Sequence, residues 1–158
     1  MIALLAAALI GRTQDSASSE VFKLCQYMVG GQWEGHVGKN VVIRFKFHTE
    51  DNGNKFVGEG WIDATGKHPT SVRSSFGWDP DAKQVYYLDQ HGSDTVYFGH
   101  VTCEGNTLVT DFNGLVGDKG HYISRESVTH DQLVSTMMAE DKGKMVDMGF
   151  HLELHRVK

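Results

Sequence analysis

The sequence predicts an all-β protein: an up-and-down antiparallel β-barrel of about ten strands with one N-terminal helix. Three observations predict it. The hydrophobic period switches from helical to strand-like at Gly30-Gly31. Beyond that point short alternating segments recur, separated by turn-like sequences. The chain also has 18 glycines against 2 prolines, which favours many tight turns over stiff linkers.

The helix falls at residues 19–29, where Val21, Leu24, Cys25 and Met28 make an i, i+3, i+4, i+7 stripe. Ser18 or Ser19 can cap it, Glu20 suits its positive end, and Gly30-Gly31 stops it. A short strand at 32–38 follows. Next, Val41, Ile43, Phe45 and Phe47 alternate with Val42, Arg44, Lys46 and His48, a half-buried strand closed by the turn Asp51-Asn52-Gly53. A strand near 55–63 carries Gly58 and Gly60 on one face, where a strand can bend or a neighbour can come close. Further strands fall near 71–78, 84–90, 95–103, 107–112, 121–129, 132–138 and 145–157. Turns at Asp79-Pro80-Asp81, His91–Asp94, Glu104-Gly105-Asn106, Gly117–Gly120 and Asp141–Lys144 separate most of them. Such short connections favour a meander, and closing it removes exposed edges. A barrel of this size can hold one small ligand.

The chain has 158 residues, enough for one domain that buries about 68–70% of its unfolded surface. Its formal charge of −5 argues against nucleic-acid binding, which needs clustered Lys and Arg. Residues 2–10 (IALLAAALI) are too short to span a bilayer but fit the apolar core of a signal peptide, with Asp15-Ser16-Ala17 as a cleavage site. No basic residue precedes the run, so an apolar helix or a lipid-facing anchor is the alternative. The expected organisation is a signal segment at 1–17 and a barrel at 18–158, secreted or periplasmic. The location is cytoplasmic if the run is not a signal. Cys25 and Cys103 fit a disulfide or two small buried hydrophobes, and sequence leaves both open.

Candidate ligand-binding residues come from strand faces. Phe45, Phe47, Trp61, Phe76, Trp78, Tyr87, Phe98, Phe112 and Tyr122, with Met137 and Met138, line a cavity or fill a core. His100 shares a face with Val96 and Phe98, and if that face is inward it is a polar anchor. Arg44, Arg73 and Arg125 are strand arginines suited to a ligand carboxylate, and one at most is expected to serve. There is no GxSxG, HExxH or Walker loop. Asp79 and Asp81 read as turn residues. Nine histidines leave room for an enzyme working near neutral pH.

The segment Gly31–Gly38 (GQWEGHVG) follows the helix, and a mid-chain strand–turn–strand reads FGWDPDAKQVY from Phe76 to Tyr86. Together these resemble the bacterial lipocalin-like domains of the calycin superfamily. The resemblance implies a barrel around a small ligand, with Trp33 packed across one end. GQWEGHVG is also similar to the GxWxGxG start of nitrobindin-like haem barrels, with His36 in a variable position and Gly38 closing the run. Their last strand carries a His-Leu pair followed by an arginine, as Phe150-His151-Leu152-Glu153-Leu154-His155-Arg156 does here. That resemblance implies His151 as the ligand of a haem iron. Periodicity reads differently. Val146, Met148, Phe150, Leu152 and Leu154 form one face, and His151 lies on the other with Glu153 and His155. An inward His151 needs the opposite register or a bulge near Gly149. His151 and Glu153 lie roughly 7 Å apart along a strand, close enough to share an ion, but no third ligand is evident.

The expected function is binding of a small hydrophobic or amphipathic ligand by a monomeric or weakly dimeric barrel. It needs no cofactor, nucleic acid or membrane span. The alternatives are a haem barrel using His151, an enzyme acting on a small ligand in the cavity, and a packed barrel without a ligand.

Overall fold

The computed structural model describes residues 16–157, with side chains from Ser19 onward. The apolar run at 2–10 lies outside the described residues. Helix α1 spans Ser16–Met28. It is followed by β1 (Gln32–Val37), β2 (Val41–Glu50), a short 3-10 turn at Asp51–Gly53, β3 (Lys55–Ala64) and β4 (Thr70–Asp79). Then come β5 (Gln84–His91), β6 (Thr95–Glu104), β7 (Thr107–Val116), β8 (His121–Val128), β9 (Gln132–Asp141) and β10 (Lys144–Val157). Each strand pairs antiparallel with its sequence neighbours, and β1 pairs with β10 to close the barrel. No described helix is long and apolar enough to cross a membrane.

Alternation decides what faces inward. Ile43, Phe47, Phe56, Phe76, Val85, Val101, Leu108, Val128, Leu133, Leu152 and Leu154 join one buried core. The glycines of β3 make room for it. A Cβ on Gly58 would lie 2.6 Å from the Phe47 ring, and one on Gly60 would lie 1.9 Å from the Arg44 carbonyl oxygen. Only glycine lets β2 and β3 approach this closely while Phe45 and Phe47 stay inside.

The expected stripe of α1 closes one end. Val21, Phe22, Leu24, Cys25 and Met28 are buried against that core. Cys25 and Cys103 are unbridged thiols. Trp33 is fully buried under the helix end, and its Nε1 donates to the Met28 carbonyl at 2.9 Å. The Arg156 guanidinium lies 4.7 Å from the Trp33 ring centroid. It also donates to the carbonyls of Tyr27 at 2.6 Å, His130 at 2.9 Å and Val29 at 3.3 Å, and to that of Gly30. A residue of the last strand therefore fixes the C-terminal end of the helix and the start of the first strand.

Charge-assisted hydrogen bonds contribute about 1.5–3 kcal/mol each at most, and these share one side chain. Arg156→Ala is expected to lower unfolding stability by about 2–3 kcal/mol in urea denaturation. Arg156→Lys should restore only part of that, because a point charge cannot replace the planar fork. A loss below about 0.5 kcal/mol, ordinary for a surface site, would contradict the clamp.

Candidate functional site

The barrel interior holds a cavity of about 250 Å³. It runs from Met28, below the helix, to His91 at the far end of β5. Rings line much of it: Phe45 and Phe47 from β2, Phe56 from β3, Phe76 from β4, Tyr87 from β5 and Phe150 from β10. Consecutive rings touch. Phe45–Phe47, Phe47–Phe56 and Phe56–Phe76 are stacked, with centroids 5.3–5.6 Å apart. The series continues through Phe76–Tyr87, Tyr87–Phe112 and Phe112–Tyr122. Edge-to-face and offset pairs at these separations each contribute about 0.5–1.5 kcal/mol beyond burial.

A few polar groups break this lining. Ser74, Asp89, His91, Glu126 and Ser135 face the same cavity. Asp89 is buried and well partnered. It accepts from Ser74 Oγ at 2.6 Å and lies 2.7 Å from His91 Nε2. Glu126 sits on β8, where Leu108 and Ser135 are its register partners. It is half-buried and faces the cavity, and no hydrogen-bond partner for its carboxyl is found among the described residues. Desolvation, and secondarily the Asp89 charge, push Glu126 up to about 7. Burial also pushes the Tyr87 hydroxyl well above its usual value, with Asp89 adding to it.

The end opposite α1 is rimmed by a second set of groups. Tyr122 donates to Asp118, and Tyr97 lies 3.5 Å from the same carboxylate. The Asp118 bond pushes Tyr122 up to about 12. A smaller recess beside this rim is lined by His91, Tyr97, Asp118, Tyr122 and Met148.

The sequence candidates divide accordingly. Phe45 and Phe76 line the cavity, and Tyr122 stands at the rim. Trp33 and Trp78 pack at the helix end. The other candidates require correction. Trp61 is 53% exposed and points outward, because Gly58, Gly60 and Ile62 occupy the inner face of β3. Phe98 and His100 are also outward. Gly99 and Val101 are the buried residues of β6, so the inner face is the one opposite to that supposed for His100. They line a larger depression of about 530 Å³ on the outer wall of β5–β8, which lies away from the interior. Arg44 pairs with Glu34 at 2.8 Å, Arg73 with Glu59 at 2.6 Å and Arg125 with Glu104 at 2.7 Å, all on the outer surface. Among the described residues no arginine lines the cavity to hold a ligand carboxylate.

His151 is exposed, and Leu152 and Leu154 on either side of Glu153 are buried. A bulge does occur between Asp147 and Phe150, with Gly149 at φ +64°. It leaves Phe150, Leu152 and Leu154 inside and His151 outside. The residues present therefore do not fit an internal haem held by His151. The histidine that faces the cavity is His91. Among the described residues no group of three or more His, Cys, Asp or Glu side chains is placed to hold a metal ion.

Sequence reasoning missed Asp89, His91 and Glu126. The β5 alternation Val85, Tyr87, Asp89, His91 did contain the first two. Glu126, between Arg125 and Ser127, looks like part of a solvated segment.

Burying Glu126 has a consequence for stability. Its folded value lies above the unfolded one, so the native state holds the proton more tightly. The Glu126 contribution is fully present below about pH 4.3 and is lost as pH rises through about 7. A shift of this size corresponds to about 3 kcal/mol as an order of magnitude. Glu126→Gln should therefore gain stability relative to wild type between pH 5 and pH 8, in paired denaturant melts. A difference between the two proteins that does not change with pH would contradict the burial of this carboxyl.

No family model matches the chain, and no curated protein matches it. Among solved structures, the crystal structure of Rv2717c from M. tuberculosis is similar, with a TM-score of 0.55 and 16% sequence identity. The match covers 87% of this chain and 97% of that one. At that identity the similarity shows the barrel fold.

Proposed function

We propose that the barrel binds a small hydrophobic or amphipathic molecule in its interior, as the lipocalin-like resemblance of its GQWEGHVG and FGWDPDAKQVY segments implies. The observation that carries this reading is the ring-lined cavity of about 250 Å³. Pockets for small molecules are mostly apolar with a few placed polar groups, and this lining has that composition. An engineered apolar cavity of roughly 150 Å³ takes benzene, so the space here suits one or two fused rings or a short aliphatic body. Burial of the ligand's apolar surface at about 25 cal/mol per Å² supplies the affinity, less the cost of association.

1-Methylnaphthalene is expected to raise the melting temperature saturably, with a Kd on the order of 10–100 μM. Ser135→Phe places a ring into the cavity and should weaken binding about tenfold or more. Phe98→Ala, on the outer wall, should leave binding unchanged. Loss of binding in Phe98→Ala with retention in Ser135→Phe would place the ligand outside the barrel and refute the reading.

A further inference from the structure

We propose that the molecule taken into this cavity is an amine bound as its ammonium ion, with an aromatic or apolar body against the rings and Glu126 as its counter-ion. The proposal rests on the cavity-binding reading above and adds the charge of the ligand.

Three observations carry it. The first is the sign of the charged groups. Asp89 and Glu126 face the cavity, and among the described residues neither Lys nor Arg lines it. Arg44, Arg73 and Arg125 are committed to carboxylates outside, and Arg156 is committed to carbonyls at the helix end. An anionic ligand would meet two acids, and the one histidine in the lining, His91, is already paired with Asp89.

The second is the difference between the two acids. Asp89 has Ser74 and His91 as partners, whereas Glu126 has none among the described residues. A half-buried carboxyl without a partner on an apolar cavity wall is costly to ionise. It is relieved either by holding its proton or by a cation that pairs with it, and only the second adds binding energy. Ser135, its register partner on β9, offers a hydroxyl oxygen to a second N–H of the same ammonium.

The third is the lining itself. The apolar body of an amine needs a surface to bury against. Phe47, Phe56, Phe76 and Tyr87 form a continuous apolar series of rings in the same lining as the acids. The two acids repel a carboxylate ligand placed against the same wall.

Four probes that share one ring system test the charge on the wild-type protein: 1-naphthylmethylamine, 1-naphthylmethanol, 1-methylnaphthalene and 1-naphthoate. Titration calorimetry at pH 7.5 is expected to rank the amine about tenfold or more tighter than the hydrocarbon, with the alcohol between them and the naphthoate weakest. Glu126→Gln should erase the advantage of the amine and keep hydrocarbon affinity within about threefold. Equal binding of amine and hydrocarbon, or of amine and alcohol, would overturn the cation and leave the cavity reading intact. An amine preference that survives in Glu126→Gln would overturn Glu126 as counter-ion. If no probe binds the wild type, the cavity reading fails and the proposal fails with it. The wild-type series decides the charge question even if the substituted protein does not fold.

Discussion

The barrel depends on how its first and last strands meet. β1 and β10 are brought together by pairing from Gln32↔Val157 to Gly35↔Leu154. Gly35 permits this approach, since a Cβ there would lie 2.1 Å from the Glu153 carbonyl oxygen. Arg156 then joins the closure to the helix, through the carbonyls of Tyr27, Val29 and Gly30 and the face of Trp33. Helix carbonyls at a C-terminus lack internal partners, so a guanidinium there satisfies acceptors and complements the helix dipole at once. Without this closure β1 and β10 would be open edges, and Trp33 would have no lid.

Closure also separates two chemistries. The outer wall carries paired charges, most of them exposed, which contribute little to stability individually. The inner wall carries a connected series of rings and a short polar strip. Because the interior is poor in hydrogen-bonding partners, each polar group there must find one or remain costly. Asp89 finds Ser74 and His91. Glu126 finds none among the described residues, and desolvation pushes its carboxyl up to about 7. Perturbed groups of this kind concentrate at functional sites.

Much of the fold was legible in the residues. The stripe Val21, Leu24, Cys25, Met28 gave the helix, and its start differs by three residues, at Ser16. Alternation and turns marked all ten strands. The face of each strand was legible only where one face was clearly apolar. On β2, Ile43, Phe45 and Phe47 oppose Arg44 and Lys46, so the inward face of that strand was legible. On β6, aromatic residues occupy both faces: Tyr97 on one and Phe98 on the other. Glycine decided the matter, because Gly99 lets the β7 backbone approach to 2.0 Å from a Cβ position. That contact depends on how β6 and β7 lie against each other, which the pattern of β6 alone does not reveal. The same holds for Glu126, whose partial burial comes from strands that are remote in sequence.

The central claim is that a small ligand lies among the inner rings beside Glu126. The most direct measurement is isotope-filtered nuclear Overhauser spectroscopy of the protein saturated with 1-naphthylmethylamine. Contacts from the naphthalene protons to Phe56, Phe76 and Met137, all of which line the cavity, are the predicted result. Contacts confined to outward residues such as Leu88, Phe98 and Ile123 would contradict it.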